Sequence, residues 1–417
     1  MKIKLKKLFS KFGPGIITGA SDDDPSGIAT YSMAGASQGY SLLWTAFVTF
    51  PLMAAIQEMC ARIGVVTDRG LMGNIKRLTK SRLILYFLAL LVITANTINI
   101  GADLGGMSAA VNLLVPSVHP LIIGFFTTAL IIILIVYFPY KFIAANLKWL
   151  TFALFAYIAS ALVTKQDWLK IIYSTFVPDL NFNKDTITLI VAIFGTTISP
   201  YLFFWQTSEE VEEVKEREKE AHHKIIVTKH ELKQVREDVN LGMFFSNLVM
   251  YAIIATTAST LYKSEILSAE QAAKSLEPIA GSFSSLLFTL GIVGTGLLAI
   301  PVLAGSAAYA VSEIFQWKEG LNKTFRQARP FYGVIILSTL VGLLMNITGI
   351  NPFKALFYTA VIYGLISPVL IYFILRLAND KNIMGDKTNM LTTNVLGIAA
   401  LLVMTAAALA LAVVTFA

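Results

Sequence analysis

Apolar stretches long enough to cross a bilayer recur along nearly the whole chain, and no other feature limits its fold so tightly. A spanning helix needs about 20 predominantly apolar residues, and eleven such segments can be placed, at 12–34, 41–66, 83–111, 120–138, 147–164, 186–207, 240–262, 282–312, 331–346, 353–376 and 390–416. Strands of a membrane barrel would be half that length and strictly alternating, a pattern these segments lack. With 56% hydrophobic and 14% charged residues among 417, the chain has more apolar surface than a soluble interior can hide. The expectation is an all-α membrane protein of about eleven transmembrane helices, with the lipid bilayer as its main solvent.

The net charge of +7 follows from topology and not from a nucleic-acid partner. With the N-terminus inside and the chain alternating across eleven spans, 26 Lys and Arg fall on the inner side and 6 on the outer, with Arg62 left within a span. Such a bias fixes orientation. It predicts a multi-pass protein of the cell membrane, with residues 1–11 as a cytoplasmic N-terminus and the C-terminus, Ala417, outside. The basic start resembles a signal n-region, but Asp22, Asp23 and Asp24 interrupt the apolar stretch behind it and no clear cleavage pattern follows, so it is expected to be retained. Cys60, the single cysteine, sits inside an apolar segment as a packing residue and allows no disulfide framework.

Residues 208–239 form the one long polar insert, beginning SEEVEEVKEREKEAHHK. Charges of both signs predict a solvated cytoplasmic helix continuing from the sixth span. The insert separates 12–207, a first membrane repeat plus helix six, from 240–417, the rest of a second repeat and helix eleven. Pro beside small or polar residues breaks two spans, SDDDPSG at 21–27 and GTTISPY at 195–201. Asp24-Pro25 and Ser199-Pro200 share one offset of 175 residues. A five-plus-five repeat produces this correspondence, and an odd number of spans per repeat inverts the second copy. Interrupted helices at matching positions point to a transporter's binding site. Pro alone is tolerated in membrane helices as a kink, so Pro200 by itself says little. Three consecutive carboxylates at mid-span say more, since each costs about 2.5–3.5 kcal/mol to insert and must face water, an ion or a partner.

At such a break the ring of Pro25 has no N–H, and carbonyls of the preceding turn are freed. Together with the negative end of a half-helix they attract a cation. Asp24 adds a full negative charge, and Ser199 with the carbonyl of Thr196 completes an oxygen-lined site that suits a hard cation.

At these residues the sequence resembles the NRAMP (natural resistance-associated macrophage protein) family of divalent metal transporters. GPGIITGASDDDPSGIATY at 13–31 looks like the family's first helix with its metal-binding Asp-Pro, here Asp24-Pro25. QEMCARIGVVTDRGL at 57–71 is similar to the end of the second helix, GADLGGMSAAVNLL at 101–114 to the third, and GTTISPYLFFWQ at 195–206 stands where the family has a Met-Pro-His helix. The last three spans match only in layout. The resemblance implies the leucine-transporter-type fold, with helices one and six broken, and a metal bound by Asp, Asn, a Met sulfur and a backbone carbonyl. Asp24 and the carbonyl position, Thr196, remain, but Gly27 replaces the Asn and Ser199 the Met. Thioether sulfur favours softer ions, whereas oxygen suits Mg²⁺, Ca²⁺ or Mn²⁺. Mg²⁺ dehydrates reluctantly, and the smaller Gly27 and Ser199 leave room for a partly hydrated ion. The pattern resembles the NRAMP-related magnesium transporter branch.

The family's proton route is altered as well. Tyr201 replaces the His after the sixth-helix Pro, and Gly106 replaces an acid of the third helix. The four histidines, His119, His222, His223 and His230, all fall outside the predicted membrane core, so the readiest proton carrier is missing there. Asp103 and Glu58 remain as possible relays. The expected activity is uptake of a divalent cation, Mg²⁺ first, by alternating access with weak or no proton coupling. The metal site comprises Asp24, Ser199, Thr196 and Gly27, and the ion is cargo, with no cofactor. Helical spacing turns Asp22 and Asp23 off Asp24's face, leaving them to hold water or line a vestibule. Glu58 and Arg62, four apart, form a structural ion pair. Rival readings are a proton-coupled Mn²⁺/Fe²⁺ importer, an organic-solute carrier of the same architecture, which the Asp run disfavours, and a non-transporting metal receptor acting through 208–239. An enzyme is not expected, since the sequence holds no nucleophile and base pair, P-loop or zinc spacing.

Overall fold

Among the described residues the apolar stretches are helical, and no strand occurs. The computed structural model describes residues 13–140, 142–143, 152–178, 183–224 and 227–416. The expected cytoplasmic segment 1–11, Lys141 and Lys148, the start of the fifth span and Ala417 lie outside them.

Fifteen helices carry the description: α1 Pro14–Asp22, α2 Pro25–Gln38, α3 Trp44–Thr67, α4 Leu71–Leu78, α5 Arg82–Leu114, α6 Pro120–Tyr137, α7 Phe155–Val163, α8 Trp168–Phe176, α9 Lys184–Thr197, α10 Pro200–Ala221, α11 Lys229–Thr260, α12 Ser284–Phe315, α13 Arg329–Met345, α14 Pro352–Asn379 and α15 Leu391–Phe416, with short helical turns between some of them. Nine stretches among the described residues are long and apolar enough to cross a membrane. They correspond to ten of these helices, α9 and α10 counting as one. The remaining two expected spans are the first, split into α1 and α2, and the fifth, of which α7 is the described part.

The packing repeats with a shift of five spans. The first span, α1 and α2, lies on the seventh, α11, and the sixth span's α10 lies on the second, α3. The third and eighth spans, α5 and α12, pack on each other, as a shift of five requires of that pair. This is the leucine-transporter-type five-plus-five inverted repeat.

The polar insert departs from expectation. Residues 208–221 do continue the sixth span as the end of α10, but Ser208, Glu209, Glu210, Val211 and Val214 are buried. The side toward α3 is closed because Gly64 packs on the Thr207 carbonyl, with the Glu210 Cβ beside it. Only the last turns of α10 are solvated. His222 ends it in a left-handed conformation, and Thr228 with Glu231 forms a capping box that starts α11.

Small residues set the closest approaches, as in membrane bundles generally. Gly19 lies against the Gly242 backbone, Gly242 against the Gly15 carbonyl, and a Cβ on Gly15 would stand 2.6 Å from the Val239 nitrogen. These contacts press α1 onto α11. Gly19→Val or Gly242→Val is expected to lower the unfolding temperature of the purified protein, the overpacking costing about 1–3 kcal/mol or more. Gly333→Val, where a Cβ meets nothing within 4 Å, is the matched control and should not lower the unfolding temperature, since Gly is the poorer helix former.

Candidate metal centre

Both helix breaks are built alike. α1 ends at Asp22, and Asp23 leaves the helix at φ −82°, ψ 55°. Asp24 is then extended at φ −67°, ψ 171°, and Pro25 opens α2. In the other half α9 ends at Thr197, Ile198 leaves at φ −103°, ψ 62°, Ser199 is extended at φ −78°, ψ 124°, and Pro200 opens α10. Pro fits the first helical position because its missing N–H would have no intrahelical partner and its φ is already helical.

Asp24 caps α2. Its Oδ1 accepts the Gly27 N–H at 2.8 Å and the Ser26 hydroxyl at 2.6 Å, and its Oδ2 accepts Nδ2 of Asn99 at 2.8 Å. The positive end of α2 favours its charge. The Ser26 hydroxyl also lies 3.4 Å from Oγ1 of Thr196, tying the first break to the second. Gly27 completes this junction, since a Cβ there would meet Thr196 Oγ1 at 3.2 Å and the Tyr31 ring at 3.3 Å. The flank of Gly27 is therefore closed by these two side chains. Asp24, Gly27 and Thr196 thus come together around Ser26. Ser199 turns the other way, donating its hydroxyl to the Thr196 carbonyl at 2.6 Å, with the Gly195 carbonyl at 3.2 Å. The two expected oxygen donors of the sixth span are hence paired with each other.

Asp22 and Asp23 face α11. Ser246 donates to Asp22 Oδ2 at 2.6 Å and approaches Asp23 Oδ1 at 3.3 Å. Tyr201 sends its hydroxyl to the Ser21 carbonyl at 3.1 Å, so it ties the end of α1 to α10. Asp22, Asp23, Asp24 and Asp103 are all buried, and among the described residues none forms an ion pair. Glu58 and Arg62 do pair, both buried, with Arg62 also on the Thr388 carbonyl. The four histidines are exposed.

Sequence reasoning missed Asn99. The signal was present: Asn96, Asn99 and Asp103 recur at i, i+3 and i+7 inside an otherwise apolar helix, which puts them on one face. Asn96 knits three helices together, donating to the Leu303 carbonyl at 2.9 Å and accepting from Tyr363 at 3.0 Å. Asn99 reaches Asp24, and Asp103 faces Asp24 and the Ser26 backbone.

At the other end of α1 a cavity of about 720 Å³ opens between α1, α10 and α11. Its lining includes Glu210, Glu213, Glu231, Glu237, Asp238 and Arg217. Asp238 accepts the N–H of Gly13 at 3.1 Å and of Gly15 at 2.7 Å, capping α1 on the wall of this acidic vestibule.

A family model, natural resistance-associated macrophage protein-like, matches residues 15–414. The chain is 26% identical over 408 residues to a divalent metal cation transporter, MntH, of Caldanaerobacter subterraneus subsp. tengcongensis, covering 95% of this chain and 91% of that one. It is 25% identical over 403 residues to the protein of the same description from Yersinia enterocolitica, covering 93% and 91%. Among solved structures it is similar to a point mutant of the Eremococcus coleocola manganese transporter, with a TM-score of 0.77 at 16% identity over 97% of this chain and 86% of that one. Mhp1, a nucleobase-cation-symport-1 family transporter, matches with a TM-score of 0.54 at 14% identity over 96% and 92%.

Proposed function

Because the chain belongs to the natural resistance-associated macrophage protein-like family and is a divalent metal cation transporter, we propose that its cargo is Mg²⁺, bound partly hydrated at Asp24 and carried by alternating access with little or no proton coupling. The protein is not an enzyme, and the metal is its substrate, not a resident cofactor.

The observation that carries this reading is the surroundings of Asp24. Its contacts are two hydroxyl-bearing or backbone groups of its own half-helix and one amide, with the Thr196 hydroxyl next in line. Ser199 occupies the position where a thioether sulfur would favour softer transition metals, and Gly27 the position where the resemblance places an amide ligand. While bonded to each other, the Ser199 hydroxyl oxygen and the Thr196 carbonyl each keep a free lone pair, so both can serve an ion, directly or through water. Mg²⁺ keeps several waters and needs only one or two carboxylates, which suits so sparse a donor set.

Orientation belongs to the proposal too. With the basic loops inside, the acidic vestibule at Glu210 and Asp238 is the inner mouth, and α1 is the gate between it and Asp24. The membrane potential then drives entry, worth about 4.6 kcal/mol for a divalent ion at 100 mV. The second reading, a proton-coupled Mn²⁺ or Fe²⁺ importer, draws on Asp103, a buried carboxylate facing Asp24 and placed to pass a proton.

Flux of Mg²⁺, Mn²⁺ and Ca²⁺ into proteoliposomes at a set potential tests the reading, and preference for Mn²⁺ over Mg²⁺ would overturn it. Asp24→Ala is expected to abolish uptake in the same assay. Gly27→Asn with Ser199→Met should shift preference toward Mn²⁺; unchanged selectivity would defeat the argument from ligand softness. A trapped pH dye should report no acidification during Mg²⁺ entry, and metal-dependent acidification would establish proton coupling instead.

A further inference from the structure

We propose that Asn99 is itself a ligand of the transported ion, supplying from the third span the amide oxygen that Gly27 cannot supply from the first. The inference rests on Asp24 being the ion site and adds a residue that the helix breaks alone do not indicate.

Three observations meet at this side chain. Asn99 is fully buried, its Nδ2 donates to Asp24 Oδ2 at 2.8 Å, and its Oδ1 has no hydrogen-bond partner among the described residues. A buried amide oxygen left unpaired costs about 1–3 kcal/mol, so a native site that keeps one has a use for it. One turn further along the same face, Asp103 is also fully buried, and no side chain among the described residues donates to either of its oxygens, the Ser26 backbone being the group that faces it. An amide with one idle acceptor thus shares a helix face with a carboxylate that no side chain satisfies.

Rotation of the Asn99 amide about its last torsion puts the idle oxygen to use. Oδ1 then takes the position of Nδ2 beside Asp24, and Nδ2 turns away from Asp24 on the helix face that also carries Asp103. The 2.8 Å between Asn99 and Asp24 Oδ2 is also the right spacing for two neighbouring ligands of Mg²⁺. Oxygens at 2.0–2.1 Å on adjacent corners of an octahedron stand about 2.9 Å apart, whereas Ca²⁺ at 2.3–2.6 Å spreads such an edge to about 3.5 Å. One rotamer of the amide donates to Asp24, and the other offers an ion its oxygen. Asp24 and Asp103 together bring two negative charges to a double positive one.

Calorimetric titration of the purified full-length protein with MgCl₂ at pH 8, and with CaCl₂ for comparison, tests the proposal. Asn99→Ala should weaken Mg²⁺ binding by about tenfold or more, roughly 1.4 kcal/mol, and reduce the preference for Mg²⁺ over Ca²⁺. Asn99→Asp separates a ligand from a mere positioning residue through selectivity, because its added charge raises affinity for any divalent cation. With an oxygen still at the ligand position the preference for Mg²⁺ over Ca²⁺ should stay at the wild-type level, whereas a residue that only orients Asp24 by donation would lose that preference as in Asn99→Ala. That second result overturns the proposal, as does unchanged affinity in Asn99→Ala. If Asn99→Ala does not fold, the selectivity of Asn99→Asp decides alone. Asp24→Ala run in parallel keeps the readings apart: wild-type affinity there would refute the site itself, while loss there with an indifferent Asn99 refutes only the ligand role.

Discussion

A helix broken inside a membrane leaves backbone carbonyls and N–H groups with no water to satisfy them, and the structure is arranged around meeting that demand twice. At the first break Asp24 takes up the freed Gly27 N–H, and Tyr201 supplies a hydroxyl to the Ser21 carbonyl. At the second, Ser199 covers the Thr196 carbonyl and Ser367 of α14 donates to the Ile198 carbonyl at 2.9 Å. Each partner comes from the break itself or from a helix packed on it. The bundle therefore could not hold these interruptions without α10 and α14 where they are, and the interruptions in turn concentrate polarity at one place in an apolar body.

The half-helices differ in how firmly they are held. α1, only nine residues long, is pressed to α11 through Gly15, Gly19 and Gly242 and capped by Asp238 at its start. At its end Ser246 of the same α11 holds Asp22 and Asp23. α1 is thus fastened at both ends to α11, with α10 and α12 beside it. α2 reaches α9 and α14 as well as α11, so the break at Asp23 and Asp24 separates one set of attachments from another.

Most of the architecture was legible because its signals are one-dimensional. Span lengths, the paired Asp-Pro and Ser-Pro breaks and their common offset lie on the line of the sequence, and the repeat follows from them. Three things were not legible. The burial of Glu209 and Glu210 ran against their charge, because packing of α10 on Gly64 of α3 is a tertiary fact that a run of charges does not reveal. The pairing of Ser199 with Thr196 depends on which way a hydroxyl rotates, which residue type leaves open. Asn99 carries no break to mark it, since α5 runs unbroken; its polar face is visible only when Asn96, Asn99 and Asp103 are read together at helical spacing.

The Ser199 hydroxyl on the Thr196 carbonyl has a bearing on turnover. A carrier that moves its site between two sides of a membrane must make the journey back without cargo, and a cavity of bare, mutually repelling oxygens would be stranded by the electrostatic cost of enclosing them. In the proposed cycle the Ser199 hydroxyl keeps its hydrogen on the Thr196 carbonyl while the site is empty, which leaves fewer bare oxygens to be enclosed on the return.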